Sequence, residues 1–258
     1  MSSMQLKNKV AVITGASSGI GKQIAAQFAK EGAIVVTNGR KTDALQSLLE
    51  SIEQDGGNGK AVPGDVTDVA VCQQIIETTL KEYGQLDILV NAAGIIATGS
   101  IENTTTEAWR EMMAVNLDSV FYLMNLAAPH LIKTKGSIVN ISSVTGVRSF
   151  PNVLAYCVSK SGVDQLTRCA ALELAEKGVR VNAINPGVVE TELHRRSGMG
   201  EEKYSAFLEH SKTTHPLGRA GQPYDIAEAA LFLASEKSGW ITGVTLNIDG
   251  GRHLTCAR

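Results

Sequence analysis

The chain has 258 residues, 43% hydrophobic and 19% charged, which suits one large α/β domain, or at most two small ones, with a sizeable core. Its formal net charge of −2 comes without any block of like charge, which argues against nucleic acid or an anionic membrane as a partner. The four cysteines (Cys72, Cys157, Cys169, Cys256) are scattered without a C-x-x-C pair, so neither a disulfide framework nor a metal site is expected. The segment 1–9 lacks an apolar signal core, no apolar run nears the roughly 18 residues of a membrane span, and the tail Cys256-Ala257-Arg258 is neither a Ser-Lys-Leu address nor a CaaX box. A cytoplasmic protein is expected.

In chain order, Val10 to Ile13 reads as a short β-branched strand running into Thr14-Gly15-Ala16-Ser17-Ser18-Gly19-Ile20-Gly21. A helical pattern follows (Ile24, Ala25, Phe28, Ala29) and stops at Gly32. Strand, glycine-rich turn and helix form the context in which backbone N–H groups receive a phosphate. The alternative is a tight βα turn with glycines for packing. Ala33 to Thr37 is the second strand, ending in Asn38-Gly39-Arg40-Lys41. In a dinucleotide fold an acidic residue at this strand end accepts from a ribose 2′-hydroxyl, and an arginine accommodates a 2′-phosphate. Gly39 and Arg40 therefore favour NADP(H) over NAD(H), against the alternative of a solvated Arg-Lys pair.

A helix through Leu45, Leu48, Leu49 and Ile52 leads to a loop over 55–59, and a third strand ends at Gly64-Asp65-Val66. Asp65 offers an acceptor to an adenine amine, or else caps the next helix, which spans Val69 to Tyr83. Leu86 to Val90 is the fourth strand, followed by Asn91-Ala92-Ala93-Gly94. Trp109 to Leu131 is helical by periodicity and carries Asn116, which must bond local backbone or hold water at a site. Ser137 to Ile141 is the fifth strand, with Ser142-Ser143 at its end. After the loop 144–153 comes a helix with Tyr156 and Lys160 one turn apart on one face. A nearby ammonium lowers a phenol's pKa and fits it for proton exchange with a carbonyl or alcohol. Alone, the pair equally describes a half-buried Tyr beside a solvated Lys. Val179 to Ile184 is the sixth strand, closed by Asn185-Pro186-Gly187, with Val189 and Thr191 beyond. An irregular segment with a short amphipathic helix (Tyr204, Phe207, Leu208), a helix over 224–234 and a strand over 245–248 complete the chain.

Strands alternate with helices without a linker, so a single doubly wound Rossmann-type domain is expected, with a mostly parallel sheet of about seven strands and helices on both faces. Ligands of such sheets bind beyond the carboxyl ends of the strands. The turn 15–21, Arg40, Asp65, the run 91–94, Ser143 and the segment 186–191 all follow strands and should share one edge.

With those motifs in place, the chain resembles the short-chain dehydrogenase/reductase family from Lys9 to Gly251. The Thr14–Gly21 turn resembles the family's cofactor turn. Asn91-Ala92-Ala93-Gly94 resembles its Asn-Asn-Ala-Gly motif, with Ala92 in place of the second Asn. Ser143, thirteen residues before Tyr156, and Lys160, four after it, are spaced as in the family's catalytic set. Val115-Asn116-Leu117 resembles the segment supplying its fourth member. Asn185-Pro186-Gly187 with Thr191 resembles the nicotinamide-binding segment, and Asp249-Gly250-Gly251 the C-terminal signature.

The resemblance implies that Tyr156 is the general acid or base, that Lys160 lowers its pKa and holds the nicotinamide ribose, that Ser143 donates to the substrate oxygen, and that Asn116 positions a water. It implies cofactor contacts from Gly15, Ser17, Ser18, Gly19, Ile20, Gly21, Arg40, Asp65, Val66, Asn91, Ala92, Ala93, Gly94, Tyr156, Lys160, Pro186, Gly187, Val189 and Thr191. The expected activity is that of an NADPH-dependent carbonyl reductase or alcohol dehydrogenase, with an NAD-linked alcohol or hydroxysteroid dehydrogenase as alternative. An NADP(H) sensor without turnover would be expected to lack Tyr156 or Lys160. The substrate pocket should involve Ile95, Ile96, the loop 144–153 and the segment 192–217, where Val144, Val147, Phe150, Leu193, Met199, Tyr204 and Phe207 favour a lipophilic ketone. Arg148, Arg195 and Arg196 either meet an anionic group or lie on the surface; His194 and His215 read as loop residues. A homotetramer, or a homodimer, is the family's usual assembly.

Overall fold

The computed structural model describes residues 4–255; the tail that includes Cys256 lies outside the described residues. Seven strands form one sheet in the order β3-β2-β1-β4-β5-β6-β7, and every pairing is parallel. They are β1 (Val10–Ile13), β2 (Ile34–Gly39), β3 (Asn58–Pro63), β4 (Ile88–Asn91), β5 (Ser137–Ile141), β6 (Arg180–Pro186) and β7 (Thr245–Ile248). The helices are α1 (Gly19–Lys30), α2 (Thr42–Gln54), α3 (Val69–Tyr83), α4 (Thr106–Met113), α5 (Ser119–Thr134), α6 (Leu154–Ala175), α7 (Leu193–Arg196), α8 (Glu201–Thr214) and α9 (Pro223–Ala234).

The period-2 alternation of strand side chains divides the core into two layers. On one face, Ala11, Ile13, Ile88, Val90 and Val139 pack against α1, α2 and α9. On the other, Val12, Leu89, Ile138 and Val181 pack against α3, α5 and α6. Burial on both faces explains why these strands read as continuous apolar runs. The strand order reverses between β1 and β4, so the crevice of a doubly wound sheet opens there, at the carboxyl ends.

Several boundaries differ from the sequence reading, each for a tertiary reason. β3 begins at Asn58, inside the expected loop, because that residue is in register with Ile34. β6 continues through Asn185 and Pro186, which lie opposite Asn247 and Ile248 of β7. The helical run around Asn116 is interrupted: residues Ala114–Asp118 form a π-helical turn between α4 and α5. Such turns are rare and concentrate at functional positions. The short amphipathic helix is a full α8 of 14 residues, preceded by the single turn of α7. Among the described residues no helix is long and apolar enough to cross a membrane.

Candidate active site

The carboxyl edge of the sheet opens into one cavity of about 480 Å³, lined from the β1–α1 turn at one end to α7, α8 and Arg252 at the other. The turn is built on two close approaches. Gly15 has φ +67°, and a Cβ there would stand 2.6 Å from the Ala92 carbonyl oxygen; one on Gly21 would stand 2.5 Å from that of Gly15. Neither position accepts a side chain. Thr14 ties the two central strands together, its hydroxyl accepting from the N–H groups of Ala92 at 3.1 Å and Ala93 at 3.3 Å. At the start of α1 the N-cap Ser18 makes no side-chain cap, which leaves first-turn N–H groups available to an anion.

At the end of β2, a Cβ on Gly39 would lie 3.0 Å from Ser17 Oγ, so a side chain there would press on Ser17. Arg40 and Asp65 face each other across the cavity rim at 3.8 Å, both well exposed. Asp65 does not cap α3. Its Oδ1 accepts from the backbone and hydroxyl of Thr67, and Asp68 is the cap. A glycine cradle closed to side chains, free N–H groups and a cation at the second strand end fit a dinucleotide, and every expected cofactor residue but one lines the cavity. The exception is Asn91. It is buried with its Nδ2 donating to Asn140 Oδ1 at 2.8 Å, so it braces β4 against β5 beneath the cavity.

Tyr156 and Lys160 project from α6 into the cavity beside Ser143, which follows β5. Both are almost fully buried, at 7% and 4% exposure. Burial pushes the Tyr156 phenol up to about 12, against the pull of hydrogen bonding from Ser143. Burial draws the Lys160 ammonium down to about 8, with Asp164 opposing. Lys160 Nζ donates to the Ile141 carbonyl at 2.9 Å and sits 5.8 Å from the centre of the Tyr156 ring. The group that lowers the phenol is Ser143.

Ser143 Oγ accepts from the Thr145 N–H at 3.2 Å, which leaves its own proton to donate. Neighbouring Ser142 is committed, donating to the Lys160 carbonyl at 3.1 Å. Asn116 does not line the cavity. Its Oδ1 accepts from the Ile95 N–H at 2.9 Å, and its Nδ2 donates to the Ile95 carbonyl at 3.0 Å and to Ser159 Oγ at 3.1 Å. Of its two expected roles, the structure shows the backbone anchor. A Cβ on Gly94 would lie 3.4 Å from Asn116 Oδ1 and 3.6 Å from Lys160 Nζ, so Asn116 backs the wall on which Lys160 sits.

Pro186, Gly187, Val189 and Thr191 line the far wall. Two residues fix that segment. Tyr204 is buried, and its hydroxyl donates to the Thr191 carbonyl and accepts from the Thr191 N–H. His215 is also buried: Nε2 accepts from the Val188 N–H at 3.1 Å, and Nδ1 faces the Ser211 carbonyl at 2.8 Å. That pattern requires a neutral ring, in keeping with a pKa lowered chiefly by burial. His215 lies in the bend just past α8, as a loop residue, and from there braces this segment.

The substrate end gathers Ile95, Ile96, Val144, Phe150, Leu193 and Phe207, as expected, but neither Val147, which is exposed, nor Met199 or Tyr204. Of the arginines, Arg195 is paired with Glu192 and Glu201 and Arg148 is bound to main-chain carbonyls, whereas Arg196 lines the cavity. Arg252 also lines it, and sequence reasoning passed over it. Its only sequence signal was a cation directly after Asp249-Gly250-Gly251.

The family model described as enoyl-(acyl carrier protein) reductase matches residues 15–253. A 3-oxoacyl-(acyl-carrier-protein) reductase of Thermotoga maritima is 40% identical over 251 residues, covering 96% of this chain and 99% of the relative. An NADP-dependent (R)-specific alcohol dehydrogenase of Lentilactobacillus kefiri is 39% identical over 254 residues, covering 96% and 97%. The crystal structure of a short-chain dehydrogenase/reductase of unknown function from Caenorhabditis elegans, solved with cofactor, superposes with a TM-score of 0.93 at 36% identity over 98% of each chain.

The buried ammonium should be a burden on stability. Between pH 8 and 10.5 the unfolded chain binds a proton at Lys160 that the folded chain has released, so stability gains from this group as pH rises through that window. Lys160→Met should therefore be more stable than wild type at pH 7 by about 1–3 kcal/mol. Urea unfolding across this range should show the advantage shrinking toward pH 10.5.

Proposed function

The chain belongs to the short-chain dehydrogenase/reductase family, and from that premise we propose that it is an NADPH-dependent carbonyl reductase, reversible as an alcohol dehydrogenase, with Tyr156 as general acid and base. The observation that carries this reading is the buried Tyr156–Ser143–Lys160 cluster at the mouth of a glycine-built dinucleotide cradle.

When bound, the nicotinamide cofactor supplies the hydride. Gly15 to Gly21 would hold its phosphates, Lys160 its nicotinamide ribose, and Pro186 to Val189 with Thr191 its nicotinamide. Tyr156, raised to about 12 by burial, keeps its proton at neutral pH, as a general acid for reduction must. It gives that proton to the carbonyl oxygen. Ser143 Oγ–H donates to the same oxygen and stabilises the charge developing there. In the oxidative direction the base is the Tyr156 phenolate, so the phenol must first release its own proton to solvent, which alkaline pH favours. Asn116 acts through Ile95, fixing the wall against which the substrate rests.

NADP(H) is favoured by Arg40 on the rim and by Gly39, whose missing side chain leaves room for Ser17. The named preference of the Lentilactobacillus kefiri relative for NADP points the same way. The apolar lining between Ile95 and Phe207 supports a ketone or secondary alcohol with a lipophilic body, held by the segment 192–217. A homotetramer or homodimer is supported by apolar side chains left outside the core on the two helices that flank the site: Phe121 on α5 is 50% exposed, and Val158 and Leu172 on α6 are 45% and 81% exposed.

Screening a panel of ketones for NADPH consumption tests the activity, and silence across steroids, acyl thioesters, sugars, quinones and small ketones would refute it. Arg40→Ala should weaken NADPH binding about tenfold or more while changing NADH binding far less; equal losses would favour the NAD-linked reading. Sedimentation of the purified chain should give a dimer or tetramer, and Leu172→Glu should shift it toward the monomer.

A further inference from the structure

The outer end of the cavity holds a cation that the hydride transfer described above does not use. Arg252 lies in the short helical turn after β7 (Arg252–Leu254), and its guanidinium carbon is 5.0 Å from the centre of the Phe150 ring. Arg148 lies 6.0 Å from the same ring, so two like charges flank one aromatic. Arg148 is occupied: its Nη1 donates to the carbonyls of Arg252, His253 and Thr255. Arg252 is not. A guanidinium carries five N–H donors, and its one side-chain bond among the described residues is Nη1 to Thr214 Oγ1, a long 3.4 Å.

Among the described residues no carboxylate forms an ion pair with it, although the charge of Asp249 acts on it through space and raises its pKa. Asp249 accepts from the N–H groups of Gly251 and His253 and is paired with the His253 ring at 2.9 Å. Glu192, which also lines this end, is held by Arg195 at 2.9 Å. His194, packed on Phe207, is kept below its ordinary pKa by burial and by Arg252, and so adds no charge at neutral pH. The remaining cation of this end is Arg196, exposed at the mouth. Arg252 is itself partly desolvated, which lowers its pKa, and Arg148 adds repulsion. An arginine held against a like charge, with open donors facing a cavity, is a receptor for an anion.

Resting on the carbonyl-reductase reading, we propose that the substrate carries an anionic oxygen group, a carboxylate or a phosphate, at the end of its apolar body. Arg252 receives that group, with Arg196 at the mouth, while the carbonyl lies against Tyr156 and Ser143. The apolar walls between them select the body, and the charge fixes which end enters first.

Binding to the enzyme saturated with NADP⁺ tests this without turnover. Calorimetric titrations would compare linear carboxylates from butanoate to decanoate with the matching primary amides, and with alkyl phosphates as a third arm. The wild type should bind at least one of the two anions about tenfold or more tightly than the amide. Arg252→Met, which keeps the aliphatic contact with Phe150, should erase that preference, and Arg252→Lys should retain part of it. The arm with the larger preference identifies the anion. Equal binding of anion and amide by the wild type would overturn the proposal. So would an Arg252→Met variant that weakens all ligands alike, or one that loses NADP⁺ affinity while keeping the preference. A silent ketone screen with the anion preference intact would instead sink the reductase reading and leave the anion site standing.

Discussion

Parallel pairing is the constraint on which the molecule depends. Because all seven strands run the same way, every loop that leaves a carboxyl end emerges on one edge, whatever its place in the sequence. The pairing is stable only because both faces of the sheet are covered. Val12 and Leu89 are enclosed by α3, α5 and α6, and Ala11 and Val90 by α1, α2 and α9. The reversal of strand order between β1 and β4 then leaves a gap that no crossover helix fills. Thr14 and Gly15 close its floor by direct contact with Ala92 and Ala93, so the cradle and the wall of the cavity are one piece of structure.

Within that gap the chain accepts unfavourable burial. A phenol and an ammonium both lie out of water, and burial drives each toward its neutral form: Tyr156 upward to about 12 and Lys160 downward to about 8. The ammonium works against the fold at neutral pH, whereas the neutral phenol carries no such cost and its ring packs with Met112 and Ala155. Their neighbours are arranged to tolerate them, Lys160 through the Ile141 carbonyl and Tyr156 through Ser143. Such tension is expected at a site organised for proton transfer, where groups are held away from their solution behaviour. Asn116 shows the supporting layer: a buried amide whose bonds to Ile95 and Ser159 join β4's loop, the π-helical turn and α6.

The architecture was legible because its signals are local. β1, β5, β7 and α3 have the bounds that apolar runs and caps suggest, and the β1–α1 turn declares itself through glycines that sterics make obligatory. What sequence could not give depends on contacts between distant segments. Periodicity carries no mark of the π-helical turn, which widens the helix at Asn116. Alternation along β4 does not say whether Asn91 faces the cavity or β5, and it faces β5. The i, i+4 spacing put Lys160 beside Tyr156 but could not show that its Nζ reaches for Ile141. Arg252 joins the site only because the chain after β7 turns back over Phe150.

The central claim is that Tyr156 transfers the proton and does not merely fill the wall. Tyr156→Phe removes one oxygen and keeps the ring that packs with Met112 and Ala155. On any ketone the wild type reduces, kcat should fall about a hundredfold to ten-thousandfold. NADPH affinity, read by fluorescence titration of the same preparation, should stay within about threefold. Turnover retained in that variant, with the cofactor bound as before, would contradict the account.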